Sequence, residues 1–228
     1  MGEPAGIAIR PYQPADRAGV RHVCYATGYL GDRVDWLYRD QESFADLFSG
    51  YYTDAEPESA MVAERDGRVV GYLLGCVDSR RPWDPASIIT RHIVRRGIAF
   101  RPGTAGFIWR SVVDSIRDRR HGPLPQAKII DERWPAHLHV DLLTEARGSG
   151  VGSRLVHGWL DRLRSAGIAG CHLETFAENT TGIAFFKAMG FREEGAAILV
   201  PGFRSPAGHR HHVQLMVQPL APDGRAAQ

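Results

Sequence analysis

Residues 146–153 read Ala-Arg-Gly-Ser-Gly-Val-Gly-Ser, with glycines at 148, 150 and 152. An alternating apolar run, residues 138–143, leads into this stretch, and an amphipathic one, residues 151–166, leads out. In the second, Val151, Leu155, Val156, Trp159, Leu160 and Leu163 form one stripe at helical spacing. A strand that feeds a helix through a turn stripped of side chains lets consecutive backbone N–H groups converge on an anion. The unpaired N–H groups of the helix and the positive end of its dipole point at the same place. The chemistry is that of pyrophosphate binding, and the setting is an α/β fold.

Spacing separates the possible phosphate loops. A nucleotide-hydrolase P-loop needs Gly-Lys-Ser/Thr, and the only lysines of the chain are Lys128 and Lys187. A dinucleotide fingerprint has its first two glycines in Gly148 and Gly150, but Ser153 stands at the third. Glu174 lies near the distance of a ribose-binding acid, so that reading stays open beside a plain glycine turn. The pattern Arg147-x-x-Gly150-x-Gly152 fits better, and it resembles the coenzyme A loop of the GNAT superfamily of N-acetyltransferases.

The 228 residues suffice for one domain, expected over residues 1–220, with an inserted segment at 80–130 and a tail at 221–228. A net charge of +2 supplies no global field for nucleic acid. Cys24, Cys76 and Cys171 are odd in number and lack metal or disulfide spacing, which suits a reducing cytoplasm. No signal region or membrane-length apolar run is present, so no membrane partner is expected.

In chain order, residues 7–10 read as a strand that Pro11 should end. Helices follow from Pro14 to about Ala26 and over residues 41–51, and Asp66-Gly67 marks a hairpin between residues 61–64 and 69–77. After Asp78 the sheet pattern stops. Trp83-Asp84-Pro85 opens one inserted helix, and residues 105–117 form another. Their arginines, Arg91, Arg95, Arg96, Arg110 and Arg117, are either a solvated face or a basic lid. A strand over residues 137–143 precedes the glycine loop. Residues 170–176 form the next strand, 179–189 a helix, and 194–200 with 212–217 a closing antiparallel pair around a linker at 201–208.

This element order resembles the GNAT fold, and a second motif supports it. Residues 179–191, Asn-Thr-Thr-Gly-Ile-Ala-Phe-Phe-Lys-Ala-Met-Gly-Phe, resemble the family's Asn, aromatic helix and Gly-Phe. Ile9-Arg10-Pro11-Tyr12-Gln13-Pro14-Ala15-Asp16, then Cys24, Thr27-Gly28, Asp32 and the insertion, resemble bacterial relatives of the acetyltransferase-like C-terminal domain of eukaryotic O-GlcNAcase. The resemblance implies a mixed, mostly antiparallel central sheet with helices on both faces, splayed after a bulge at a cofactor slot. It further implies acetyl-CoA as co-substrate. The backbone of Leu142, Leu143 and Thr144 would hold the pantetheine arm. Arg147, Gly148, Ser149, Gly150, Val151, Gly152 and Ser153 would cradle the pyrophosphate. Asn179 would hold the later part of the cofactor, and Phe186 would pack beside the thioester. The family usually has Tyr at that place, as the acid that protonates the leaving thiolate.

Acetyl transfer to an amine needs a proton acceptor, because a free alkyl amine has a pKa of about 10. His139 and Asp141 share a strand face with His137 and are the expected base or relay; the alternative is that they satisfy polar neighbours. Glu174 is a weaker candidate. Tyr29 and Asp32, with Tyr25, lie where the fold usually builds its acceptor wall. His209-Arg210-His211-His212 lacks ligand spacing for a metal and reads as a surface strand end. The expected function is N-acetyl transfer to a small-molecule or peptide amine by a monomer or homodimer. The competing reading is a pseudo-acetyltransferase that binds acetyl-CoA without useful turnover.

Overall fold

In a computed structural model, residues 6–220 are described except 82–83, 121, 123 and 126–128; the expected tail and Trp83 lie outside the described residues. Seven strands form one sheet: β1 (Ala8–Pro11), β2 (Ala60–Arg65), β3 (Arg68–Cys76), β4 (Ala136–Leu142), β5 (Gly170–Phe176), β6 (Arg192–Arg204) and β7 (Arg210–Pro219). Their order is β1-β2-β3-β4-β5-β7-β6, and only the β4–β5 pair is parallel. The mixed, mostly antiparallel sheet is therefore as expected.

Strand alternation sends β4 and β5 side chains to two different cores. Ala136, Leu138, Cys171 and Leu173 face α6 (Val151–Ser165), whose Leu155, Leu160 and Leu163 are fully buried. Gly75 of β3 lies under Trp159, where a Cβ would come within 2.5 Å of the ring. On the other face, β3 and β5 pack Tyr72, Leu74 and Phe176 against α1 (Arg17–Thr27) and a helical run. That run is α2 (Gln41–Ala45), a π turn (Asp46–Gly50) and α3 (Tyr51–Ala55), a slip in helical phase that periodicity alone did not reveal.

The insertion folds as α4 (Pro85–Arg96) and α5 (Ala105–Asp118), with Asp84 capping α4. Arg96 reaches Asp40 at 2.9 Å, His92 Nε2 reaches Asp46 at 2.8 Å, and Asp114 holds Arg204 at 2.7 Å. Arg91, Arg95 and Arg117 are exposed, and no arginine of the insertion lines the central cleft. Arg91, Arg95 and Arg117 thus form a solvated face, while Arg96 and Arg110 tie the insertion to Asp40 and the Gly202 carbonyl.

Three local expectations change. Pairing runs past Pro11 to Tyr12, whose N–H donates to Ala60 at 3.0 Å, because β1 is an edge strand and the proline nitrogen faces outward. Pro201 and Gly202 lie within β6, the other edge, at a register shift rather than in a linker. The β3–β4 register runs unbroken from Gly71↔Leu142 to Cys76↔His137, so β4 leaves β5 without a bulge.

Candidate active site

The parallel β4–β5 pairing consists of Ala136↔Cys171 and His137↔His172 only. Beyond it the strands part. Leu143 N–H donates to Val70 at 2.9 Å, so by alternation Asp141 and His139 bond toward β3 while Val140 and Leu142 turn their backbone groups to the gap. Leu143 and Thr144 have turned away: the Leu143 carbonyl accepts from Ala146 at 2.9 Å and that of Thr144 from Arg147 at 3.2 Å. Of Leu142, Leu143 and Thr144, expected to present a backbone ladder, only Leu142 turns toward the gap, where Val140 joins it. Val140 stands there because strand phase depends on which neighbour takes the alternate bonds.

At the end of the gap lies the glycine loop. Gly148 and Gly150 adopt φ of +71° and +78°, and a Cβ on either would meet nothing within 4 Å. Gly152 is different: its Cβ would press on Leu142 and Phe185 at 3.3 and 3.4 Å, so it serves close helix packing. Among the described residues, the N–H groups from Gly148 to Ser153 donate to no carbonyl; the first helical bond is Arg154 to Gly150. Ser149 Oγ donates to the Ala146 carbonyl at 2.6 Å. Arg147 lies across the gap, with Nε donating to the Leu142 carbonyl at 3.0 Å and a terminal nitrogen donating to that of Gly31.

A cleft of about 490 Å³ opens from the gap toward α1 and the π turn. His139 and Asp141 meet there: Nε2 lies 3.1 Å from Asp141 Oδ2, and Nδ1 lies 3.1 Å from the Phe48 carbonyl, which the π turn presents. Both acceptors require a proton on the facing nitrogen, so this geometry holds an imidazolium. Burial works against that charge, but Asp141 and the Phe48 carbonyl outweigh it and raise the His139 pKa. Tyr72, fully buried, donates to the same Asp141 oxygen at 2.6 Å. His172 takes the opposite state: burial lowers its pKa, and Nδ1–H donates to the Trp134 carbonyl at 2.8 Å.

Glu174 also lines the cleft, with no hydrogen bond or ion pair to any described residue. Its side chain is reached by solvent through the cleft, yet protein surrounds it, and this enclosure pushes the carboxyl up to about 7. Phe186, 8% exposed, lines the cleft from the α6 side, packed on Phe185 and Phe191. Asn179 lines it too, but its Oδ1 accepts from Gly182 N–H at 2.9 Å and caps α7 (Thr180–Ala188). Tyr29 and Asp32 are not among the cleft residues: Tyr29 OH pairs with His211 Nε2 at 2.9 Å, and Asp32 is exposed. Their loop reaches the cleft through Leu30 and Gly31. A depression of about 520 Å³ outside α4 is open and brings no catalytic groups together.

The model of the acetyltransferase (GNAT) family matches residues 31–191, more than half of the chain. The chain belongs to the GNAT acetyltransferase family. Among solved structures, SsHAT superposes with a TM-score of 0.63 at 27% identity, over 95% of this chain and all of that one. The ribosomal-protein-S18-alanine N-acetyltransferase of Escherichia coli matches at 0.52 and 13% identity, covering 97% of this chain and 99% of that one. The yncA protein of Salmonella typhimurium, solved with its cofactor acetyl-CoA, matches at 0.54 and 16%, covering 98% of each. This GNAT protein has no helix among its described residues long and apolar enough to cross a membrane. Nor do those residues group ligands for a metal. The histidine cluster of this GNAT chain is not a plain strand end: His211 is buried, His212 pairs with Glu178 at 2.9 Å, and Arg210 binds Asp118.

Proposed function

We propose that this GNAT protein acetylates an amine by direct transfer from acetyl-CoA. The observation that carries this reading is the gap where β4 and β5 part, with the Val140 backbone turned toward it, ending at a loop whose N–H groups from Gly148 to Ser153 donate to no carbonyl among the described residues. A pantetheine arm and a pyrophosphate present acceptors in that order. Arg147, Val151 and the loop glycines would hold the pyrophosphate, Val140 and Leu142 the arm, and Phe186 and the free edge of Asn179 the neighbourhood of the thioester. Acetyl-CoA supplies a thioester whose C–S bond breaks as the amine nitrogen bonds to the acetyl carbon.

The amine arrives as an ammonium and must lose a proton. His139 already carries two, so it is a poor acceptor while Asp141 is ionised. Glu174, unpartnered and with its carboxyl near 7, is suited to take the proton at neutral pH and release it to solvent. Asp141, His139 and Tyr72 then form a preset polar wall. Phe186 offers no proton to the leaving thiolate, which supports the second reading, a weak or inactive acetyl-CoA-binding module. The helical insertion after Asp78 supports the narrower kinship with the O-GlcNAcase-associated acetyltransferase-like domains. Three buried, unbridged cysteines support a cytoplasmic setting.

Thermal shift with acetyl-CoA, CoA and NAD tests the site. A ligand at 100 times its dissociation constant adds about 2.7 kcal/mol of stability. Acetyl-CoA and CoA should do so and NAD should not, and Gly150→Glu should abolish the effect by placing a carboxylate in the N–H cradle. A larger shift with NAD, or none with either CoA ligand, refutes the assignment. Turnover of any amine separates the enzyme from the binding module.

A further inference from the structure

The inner cleft has two aromatic walls. Phe44 and Phe48 pack with tilted rings 4.6 Å apart on the helical side, and Phe176 and Phe203 likewise 5.1 Å apart on the β5–β6 side. No lysine or arginine is among the described residues that line it. Asp141 is already matched by His139, so Glu174 is the one lining carboxylate without a counter-charge among the described residues. Glu174 and Phe176 lie two residues apart on the same face of β5, about 6.6 Å along the strand. That separation matches an ammonium joined to a ring by a short alkyl linker.

We infer that the acceptor is an arylalkylamine: a primary amine on a short apolar linker to an aromatic ring, with no anionic group. The ammonium sits at Glu174 and the ring between the two aromatic walls, where apolar burial and ring-edge contacts favour it over a plain alkyl chain. An amino acid would bring its carboxylate beside that of Glu174, where like charges repel, and the His139 cation of the lining is already matched by Asp141. A polyamine would keep its second ammonium among phenylalanines without a second free carboxylate. This inference rests on the acetyl-transfer reading, since it names the acceptor of that same site.

Calorimetric titration of the CoA-saturated protein with three probes tests it: 2-phenylethylamine, phenylalanine and 1,4-diaminobutane. Phenylethylamine should bind at least tenfold more tightly than either of the others. Glu174→Gln should weaken it about tenfold while the affinity for CoA and the melting temperature hold, and Phe176→Leu should weaken it without altering diaminobutane binding. Phenylalanine or diaminobutane binding as well as phenylethylamine overturns the inference. So does the absence of phenylethylamine binding to protein that binds CoA, and in that case acetyl transfer stands and only the acceptor class falls. Failure to bind CoA removes both.

Discussion

Leu155, Leu160 and Leu163, around Trp159, close one face of the sheet with largely apolar side chains, whereas Tyr25, Tyr38, Tyr51 and Tyr72 close the other with rings that each carry a hydroxyl. Those hydroxyls are all committed: Tyr25 to the Tyr38 carbonyl at 2.8 Å, Tyr38 to Ser43 at 2.7 Å, Tyr51 to Glu56 at 3.1 Å and Tyr72 to Asp141 at 2.6 Å. The first face is held by area removed from water, which has no direction. The second is held by directed bonds, and it is the face onto which His139, Asp141 and Glu174 project. A core that already satisfies buried hydroxyls and carboxylates can carry ionisable groups at the edge of a cleft; a purely aliphatic one cannot.

The contrast can be broken by exchanging which face is damaged. On the polar face, Glu174→Gln should lower turnover on the order of 10²–10⁴-fold. Wild-type activity should rise with pH through about 7, because the carboxylate is the active form, and the variant should lose that limb. The stability effect has the opposite sign. A carboxyl whose pKa is raised on folding contributes stability that is present below its unfolded value and lost as pH rises through about 7. The variant should therefore melt no lower than wild type at pH 8. Full turnover in Glu174→Gln would return the base to the His139–Asp141 pair.

On the aliphatic face, Leu160→Ala should cost about 2–5 kcal/mol in urea unfolding. Affinity for CoA in the protein that remains folded should be unchanged. A loss of affinity larger than the loss of stability would show that the faces are not separable. A gentler lesion sharpens the comparison: Tyr72→Phe removes the donor to Asp141 and should cost about 1–3 kcal/mol. Asp141, with one donor fewer, should hold the His139 proton more tightly, so the imidazole titration followed by NMR should move upward. An unmoved His139 would mean that Tyr72 merely fills space. The smallest effect is expected from Phe186→Tyr, which adds a hydroxyl at the cleft and should leave CoA affinity and melting temperature close to wild type while raising turnover. A fall in turnover would refute the view that this position lacks an acid.

The same division explains what was legible in the chain. Helical periodicity gave the stripe of α6, and the spacing of Gly148, Gly150 and Gly152 gave the loop, because burial and positive φ leave marks on adjacent residues. Directed bonds leave none. His139 meets the carbonyl of Phe48, 91 residues away, and Tyr29 meets His211 across 182 residues, so neither partner could be read from local spacing. Glu174 was legible as a residue on the correct face of its strand, but its isolation depends on what surrounds it in space. Pairing past Pro11 and the retention of Pro201 in β6 both depend on which strands become edges, and that is decided by topology. His139 and Asp141 were brought together because residues two apart on a strand always share a face.

One consequence follows from the π turn at Asp46–Gly50. The group that holds His139 Nδ1 is a main-chain carbonyl, so a substitution at Phe48 can alter the ring wall but cannot delete the acceptor. A change in length can. Removing a single residue between 46 and 50 would restore an ordinary helix and rotate everything on one side of the cut by about 100° relative to the other. Phe44 or Tyr51 would then leave its core position, and the carbonyl facing His139 would be a different one. Asp46 is tied to Arg21 and His92 and Ser49 is buried, so replacements are confined to Leu47 and Phe48, while no change of length is tolerated anywhere in the segment. Among natural variants it should exclude insertions and deletions.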